Sequence, residues 1–255
     1  MPSYQQAAYL GEAVRSVLDG QGADVELLVM DPGSTDGSRE LLQRLKVAYG
    51  ERLRLFFEPD AGQSDAINRG FARARGSVLG WLNSDDRLRP GVLSGVAGRL
   101  AGNRPAWLYG RAGIIDDKGR PTGRFICWYK GWRGRRFSRC KLLTENFIPQ
   151  MATFWNRAMW ERAGGLDTSL HLDMDYDLWL RFAAETEPAV VSQVLADFRV
   201  HGAAKGSRQM VQQLDAALHT ARRHADMLGV RGSMAVALHR MLAWRTRLVY
   251  RWLKP

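Results

Sequence analysis

Short apolar runs alternate along the first hundred residues with segments whose apolar side chains recur three and four positions apart. The runs cover 25–30, 53–57 and 79–82, and the segments between them have helical periodicity. Successive strands separated by helices require crossover connections, which favour a parallel sheet. The pattern therefore predicts an α/β fold with a mostly parallel sheet flanked by helices.

Each apolar run ends in a polar cluster, at 31–36, 60–65 and 83–86. Because ligands of parallel α/β sheets bind beyond the carboxyl ends of the strands, we expect the three clusters to line one site. The sharpest is Asn83-Ser84-Asp85-Asp86, since adjacent carboxylates after a buried run need solvent, a cap or a cation. For an isolated pair, capping of the helix predicted over 90–100 would be the simpler interpretation.

A second group of candidate residues lies further along the chain. The pattern around 171–182 predicts a helix that begins near Met174 and has Asp175 in its first turn, where free N–H groups favour a carboxylate. Taken alone, Asp175 would be a structural cap. His201 ends a strand-like run, 196–200, and basic residues follow it, which makes it a candidate ligand.

Composition narrows the class of protein. With 255 residues and 45% hydrophobic content, the chain can bury a full core. No run approaches the roughly 20 apolar residues of a membrane span, and the N-terminus lacks a signal-peptide pattern. Cys127 and Cys140 are too few and too far apart for a disulfide scaffold or a zinc ribbon, which predicts reduced thiols in a cytoplasmic protein. The net charge of +11, carried mainly by Arg, suits phosphate-bearing partners.

Two segments carry most of the excess charge. Residues 118–141 contain nine Lys or Arg, no acid and several aromatic residues, and their Gly and Pro content predicts a mobile basic flap. Residues 231–255 contain six Lys or Arg and predict an amphipathic helix, which is either packed on the body or interfacial at a membrane. On that helix, one arc holds Met234, Leu238, Met241, Leu242, Leu248, Val249 and Trp252, and the other holds Arg240, Arg247, Arg251 and Lys254.

Together these motifs resemble the inverting nucleotide-sugar glycosyltransferases of family two, which have the GT-A fold and act in bacterial polysaccharide assembly. Single motifs of this kind are weak, but the ordered set covers residues 2–208 at the family's spacing. The matching segments, in chain order, are 2–4, 31–37, 62–70, 83–86, 174–175 and 198–201.

The resemblance implies a Rossmann-like GT-A fold that moves a sugar from a nucleotide-diphosphate donor to a hydroxyl of a saccharide or polyprenyl-linked acceptor. It implies Asp175 as the catalytic base and a divalent cation, Mn²⁺ or Mg²⁺, held by Asp85 and His201. UDP is the favoured nucleotide, ahead of GDP and dTDP. The implied donor-binding residues are Pro2, Tyr4, Asp31, Gly33, Asp65, Asn68, Asn83 and Asp86. The implied acceptor or diphosphate residues are Gln150, Trp179, Arg181, Lys205 and Arg208.

The chain departs from the family pattern at several positions. It starts where the first strand should already be ending, so we expect that strand to be missing. Pro32 replaces a second Asp of the base-binding turn, Ile67 stands where many members have Arg, and Met174 where many have Glu. These departures make an inactive scaffold of the same fold the main alternative to an enzyme.

The expected organisation is a nucleotide-sugar-binding half at 1–117, an acceptor-binding and catalytic half at 118–208 that includes the basic flap, and a helical basic tail at 209–255. Such a protein would be cytoplasmic and peripheral on the inner face of the plasma membrane, in contact with an anionic surface. A nucleic-acid-binding protein would also explain the charge. We do not expect that partner, because the three acidic clusters would repel nucleic-acid phosphates.

Overall fold

The computed structural model describes residues 1–202 and 210–253, and within them helices and strands alternate as an α/β protein. The predicted fold class is therefore confirmed. The helices are α1 (Ala7–Leu18), α2 (Ser38–Tyr49), α3 (Gln63–Arg73), α4 (Val92–Arg99), α5 (Arg124–Gly134), α6 (Arg139–Thr144), α7 (Arg157–Ala163), α8 (Met174–Glu185), α9 (Met210–Arg223) and α10 (Val230–Leu253). The strands are β1 (Leu27–Met30), β2 (Leu53–Phe56), β3 (Val78–Leu79), β4 (Arg87–Leu88), β5 (Trp107–Ile115), β6 (Pro121–Thr122), β7 (Thr153–Asn156) and β8 (Ala189–Arg199).

The N-terminal part contains a small parallel sheet in which β1 pairs with β2. The segment predicted to end a preceding strand lies beside β1. Pro2 forms a parallel bridge with Met30, and the backbone N–H of Ser3 donates to the Met30 carbonyl over 2.9 Å. The segment thus adds one bridge to the edge of β1 and ends directly above the 31–36 cluster.

The larger sheet has the strand order β3-β7-β5-β8-β4, with β6 paired to β5. Of these pairings, β5 with β8 is parallel and the others are antiparallel. The sheets together are therefore mixed, which corrects the prediction of mostly parallel strands. The apolar run 79–82 was predicted to be a strand, but only its first residue belongs to the two-residue β3. Trp81 and Leu82 lie in the loop after it and are apolar because they are buried.

Four tryptophans form the centre of the core beneath the larger sheet. The rings of Trp81, Trp107, Trp155 and Trp179 lie 5.6 to 6.0 Å apart between centroids, in stacked and edge-to-face pairs. Trp179 is 0% exposed. Its predicted contact with an acceptor is therefore wrong, because α8 turns this side chain inward as part of its buried face.

The segment predicted to be a mobile flap is largely helical, as α5 followed by α6. Its glycines allow close packing rather than motion. A Cβ on Gly131 would lie 2.9 Å from Nε of Arg111 on β5, and the Gly134 carbonyl accepts a 2.8 Å hydrogen bond from the Tyr109 hydroxyl. A high glycine content can reflect either close packing or a mobile loop, and the sequence does not distinguish the two. The prediction of a mobile flap is therefore corrected to a packed helical segment.

The C-terminal helix α10 packs on the body over residues 230–246, whose side chains the structure describes. Whether its exposed side also meets a membrane stays a prediction. Ala235 is buried in the same core cluster as Ile67 and Trp155, so the three predicted segments share one core. Buried His239 donates through Nδ1 to the Leu143 carbonyl over 2.9 Å. The side chains at 247–253 and the whole of Lys254 lie outside the described part of the chain.

The predicted apolar arc of α10 is not the face that packs. Ala235, His239 and Ala243 are buried, whereas one row of apolar side chains is exposed: Met234, Leu238, Met241 and Trp244. Among the residues that the structure describes, none of the helices has the length and hydropathy needed to cross a membrane.

Candidate active site

The turn after β1 is closed by the side chain of Asp31. Its Oδ1 accepts hydrogen bonds from the backbone N–H groups of Gly33 (3.0 Å) and Ser34 (2.8 Å). Gly33 has φ = 145°, which favours glycine at this position. Asp31 Oδ2 and Ser3 Oγ are buried and have no hydrogen-bond partner among the described residues. Buried polar atoms of this kind are suited to bind the polar groups of a ligand.

The residues around Pro2 and Tyr4 form the other side of this turn. The backbone N–H of Gln5 donates to Ser34 Oγ over 2.9 Å, so the N-terminal segment is fixed to the turn. Tyr4 is exposed. The structure thus places the segment that contains Pro2 and Tyr4 beside the turn of Asp31. Donor binding by these residues stays a prediction.

The second cluster is mainly structural. Asp65 Oδ2 accepts from the Ala61 N–H (3.0 Å) and pairs with Arg69 (3.1 Å), which fixes the start of α3. The Asn68 amide both donates to the carbonyl and accepts from the N–H of Leu166, each over 2.9 Å. Because these bonds occupy its amide, Asn68 holds the loop before α8, which corrects its predicted contact with the donor.

Three side-chain amides connect α3 to the acidic motif at 83–86. Gln63 Nε2 donates to Asn83 Oδ1 (2.9 Å), Asn83 Nδ2 donates to Gln150 Oε1 (3.3 Å), and Gln150 Nε2 donates to the Trp81 carbonyl (2.6 Å). Gln150 is buried. It therefore holds the Asn83 amide in place. Gln63, which binds the other end of that amide, is a site residue that sequence reasoning missed.

The acidic motif itself places two carboxylates in different surroundings. Asp86 is buried; its Oδ1 accepts from the backbone N–H of Arg199 (2.9 Å) and its Oδ2 has no partner among the described residues. Burial, together with the charge of Asp85, raises the pKa of Asp86 well above its usual range. Asp85 Oδ2 lies 3.1 Å from Nε2 of His201, whose ring packs on Tyr9 with 4.8 Å between centroids.

Arg199 clamps the backbone around this motif and is 2% exposed. Its guanidinium donates to the carbonyl oxygens of Asp85 (2.8 Å), Asp116 (3.1 Å) and Asp117 (3.3 Å), and to the Glu12 carboxylate. Sequence reasoning missed the role of Glu12, because it lies 187 residues away on α1 and belongs to no motif.

We expect Arg199→Met to lower the free energy of unfolding by about 3 kcal/mol, because the substitution removes a buried charged donor from three backbone carbonyl groups and the Glu12 carboxylate. Urea unfolding measures the change. The matched control is Arg120→Met, which removes a guanidinium that is 70% exposed and pairs with Asp116; its effect should stay below about 1 kcal/mol. Equal effects of the two substitutions would contradict the clamp.

Asp175 lies in the first turn of α8, and its Oδ1 accepts from the adjacent Tyr176 N–H over 2.8 Å. The helix begins after Asp173, so Asp175 does not cap it. Burial raises the pKa of Asp175 to about 6; the charge of Asp173 also raises it, whereas a hydrogen bond from Asn146 and the charge of Lys130 oppose the rise. A carboxylate with this pKa can accept a proton near neutral pH.

Neighbouring residues of α3 hold both carboxylate sites. Gln63 binds Asn83 of the acidic motif, and the Ser64 hydroxyl contacts Met174 Sδ (2.8 Å) and donates to the Leu170 carbonyl (3.2 Å). Met174, which stands where the family often has Glu, thus packs on α3 at the start of α8. The start of α3 links the acidic motif to the helix that carries Asp175.

Arg181 faces a different cleft from the one predicted. It donates to Asp177 (2.9 Å) and to the Ala163 carbonyl. The cleft has a volume of about 330 Å³ and contains no residue of the acidic motif. The predicted contact of Arg181 with acceptor or diphosphate is therefore corrected. Lys205 and Arg208 lie outside the described residues. The cleft is lined by Gly164, Gly165, Leu166, Asp167, Asp177, Arg181, Arg223 and His224.

Comparison with known proteins places this site in context. Residues 1–162 match the family described as Glycosyl transferase family 2. An uncharacterized glycosyltransferase from Rickettsia typhi is 26% identical over 212 residues, which cover 80% of this chain and 63% of that protein. Chondroitin synthase from Pasteurella multocida is 27% identical over 205 residues, 79% of this chain and 20% of the relative. The chain thus spans less than two thirds of either relative.

Solved structures with low sequence identity share the fold. A mannosyltransferase from Pyrobaculum calidifontis in complex with GDP-Man and Mn²⁺ superposes with a TM-score of 0.68 at 17% identity, over 97% of this chain and 73% of that one. TarS from S. aureus in complex with UDP-GlcNAc superposes with a TM-score of 0.66 at 12% identity, over 89% and 68%.

Proposed function

The chain belongs to glycosyl transferase family 2, and from that premise we propose that it transfers a sugar from a nucleotide-diphosphate donor to a hydroxyl group of a saccharide or polyprenyl-linked acceptor. The family resemblance and the GT-A fold expected from the sequence are confirmed. The names of the similar structures include UDP-GlcNAc and GDP-Man, which supports a nucleotide sugar as donor. UDP remains the nucleotide that we favour.

The observation that carries the proposal is the meeting of Asp85 and His201. These side chains are 116 residues apart in sequence, yet their Oδ2 and Nε2 atoms lie 3.1 Å apart. Each lies in a separate segment that resembles a motif of the family, and Arg199, two residues before His201, holds the backbone of Asp85 in place. A pair assembled from such distant segments fits a binding role better than a helix cap does.

The donor set fits a divalent cation. Asp85 offers a carboxylate oxygen, His201 an imidazole nitrogen, and buried Asp86 keeps one oxygen without a partner among the described residues. Within that same part of the chain, no group of three or more His, Cys, Asp or Glu is spaced for a metal ion, so oxygens of the donor and water would complete the coordination. Bound there, Mn²⁺ or Mg²⁺ would supply positive charge to the departing diphosphate.

The protein's own residues divide the remaining work. Asp31 Oδ2 and Ser3 Oγ are placed to bind polar groups of the nucleobase or ribose, beside the exposed ring of Tyr4. Asp175 accepts the proton of the acceptor hydroxyl. At the same time, the oxygen of that hydroxyl bonds to the anomeric carbon, and the bond from that carbon to the diphosphate oxygen breaks. Attack on the face opposite the leaving group inverts the anomeric centre, and one carboxylate is enough for this step.

The exposed side of α10 supports attachment of the protein to a membrane surface, where a lipid-linked acceptor would lie. The exposed row of α10, which contains Met234, Leu238 and Met241, lies next to Arg240. Together they favour a peripheral position on an anionic membrane, where a lipid-linked acceptor would reside.

The experiment that tests the proposed function incubates the protein with Mn²⁺ and a panel of UDP, GDP and dTDP sugars and measures release of the nucleoside diphosphate. Proton NMR of the product gives the anomeric configuration. We expect release from one nucleotide class and an inverted product. Retention of configuration would contradict the single-base mechanism, and no release from any donor would favour the inactive scaffold.

A further inference from the structure

The helix α5 exposes a stripe of aromatic side chains. Phe125, Trp128 and Trp132 are 74%, 60% and 57% exposed, and the first two rings lie 5.8 Å apart between centroids. At about 100° per residue they span roughly 60° of arc, opposite the buried Gly134. We call these three residues the α5 face. Large apolar side chains exposed together indicate an interaction surface.

The charge around the α5 face has one sign. Arg124, Lys130, Arg135 and Arg136 are all exposed, and the sequence has no Asp or Glu between 118 and 144. Aromatic rings flanked by arginine and lysine match the interface of an anionic bilayer, where the rings lie at headgroup level and the cations meet lipid phosphates. A second copy of this chain is a poor match, because its net charge of +11 makes the copies repel each other.

We infer that the α5 face inserts into an anionic lipid surface and forms a docking contact of this protein. This contact lies on a different helix from the exposed row of α10. The Tyr109 hydroxyl and Gly131 fix α5 to β5 from its inner side, so the stripe points outward on a rigid support.

The position of α5 connects docking to the site. Tyr129 and Arg133 of α5 donate to the Glu145 carboxylate over 2.9 and 3.3 Å, and the next residue, Asn146, lies close enough to Asp175 to lower its pKa. Docking through α5 would therefore bring Asp175 close to the lipid surface and to an acceptor held there. This consequence rests on the proposed function, whereas lipid binding itself does not.

The test is co-sedimentation with two vesicle preparations, phosphatidylcholine alone and phosphatidylcholine mixed with phosphatidylglycerol. The wild type should bind only the mixed vesicles. In Trp128→Ser/Trp132→Ser and in Arg135→Gln/Arg136→Gln, binding should weaken at least about ten-fold. The matched control is Arg44→Gln/Val47→Ser, which removes an exposed cation and an exposed apolar residue from α2 and should bind as the wild type does.

Further arms separate the alternatives. Circular dichroism must show each variant folded, and transfer to a water-soluble acceptor analogue should be unchanged in all of them. The inference is overturned if both α5 variants bind like the wild type while Met234→Ser/Leu238→Ser on α10 abolishes binding, if no variant changes binding, or if the Trp variant turns a dimer into a monomer. Lost transfer with intact vesicle binding would refute the proposed function and leave the α5 inference standing.

Discussion

Replacing Asp175 with Asn should lower turnover on the order of 10²-fold or more and leave donor binding close to that of the wild type. The amide keeps the shape of the side chain and an oxygen for the Tyr176 N–H, but it cannot accept the acceptor's proton. Steady-state kinetics with saturating acceptor measure turnover, and calorimetry measures donor affinity.

The control for this substitution is Asp167→Asn, which changes a carboxylate in the loop before α8 that binds Ser169 and Arg223 rather than the site. Its turnover should match that of the wild type. Near-normal turnover of Asp175→Asn would show that this residue has no part in proton transfer.

The pKa of Asp175 gives the same prediction a pH dependence. Burial raises this pKa to about 6, and only the carboxylate form can act as a base. Wild-type turnover should therefore rise with pH and level off above about pH 6. The residual turnover of Asp175→Asn should lack that step, because its side chain does not titrate.

The raised pKa of Asp175 also makes the stability of the folded protein depend on pH. Between the ordinary value of 3.8 and about 6, the folded protein retains a proton that the unfolded chain has released, so the contribution of Asp175 to stability falls as the pH rises through this window. At about pH 7.5, Asp175→Asn should raise the melting temperature by roughly 2–4 °C, which corresponds to about 1 kcal/mol in a chain of this size. At about pH 4 the difference should largely disappear.

The second large effect is expected at Asp85. Asp85→Ala should abolish the metal dependence of nucleotide binding and reduce transfer to the background level, because it removes the more accessible carboxylate of the acidic motif. The fold should survive, since that side chain contacts His201 rather than the core. His201→Ala should mainly raise the Mn²⁺ concentration needed for half-maximal activity.

Asp117→Ala is the matched control, because this exposed carboxylate lies close by in the turn after β5, where Arg199 binds only its carbonyl. It should leave the metal requirement unchanged. Metal-dependent nucleotide binding by Asp85→Ala at wild-type strength would mean that the acidic motif does not hold a cation.

Much of the candidate site follows from sequence because it depends on local signals. Asp31 and Asp85 were predicted as site residues because they follow apolar runs. Asp175 was predicted because it lies at the start of a helical pattern. The structure adds that Asp86 is buried and Asp85 is more accessible. The sequence cannot reveal this difference, because the two residues are adjacent and identical.

Other features depend on contacts between distant segments, which periodicity does not encode. Tryptophan is a residue type common in binding sites, but Trp179 packs among three other tryptophans. Asn68 lies in a family motif, yet Leu166 occupies its amide. The glycines of α5 have the spacing of loop glycines, and the side chains that explain them, Arg111 and Tyr109, belong to β5 and lie 20 and 25 residues earlier in the chain.

Calorimetric titration of the wild type with UDP, with and without Mn²⁺, tests the central claim most directly. We predict saturable binding of one nucleoside diphosphate per chain in the presence of Mn²⁺ and a loss of at least about ten-fold in affinity after chelation of the metal. If UDP, GDP and dTDP all fail to bind in the presence of Mn²⁺, or bind equally well without it, the metal-dependent transfer described for Asp85 and His201 is wrong.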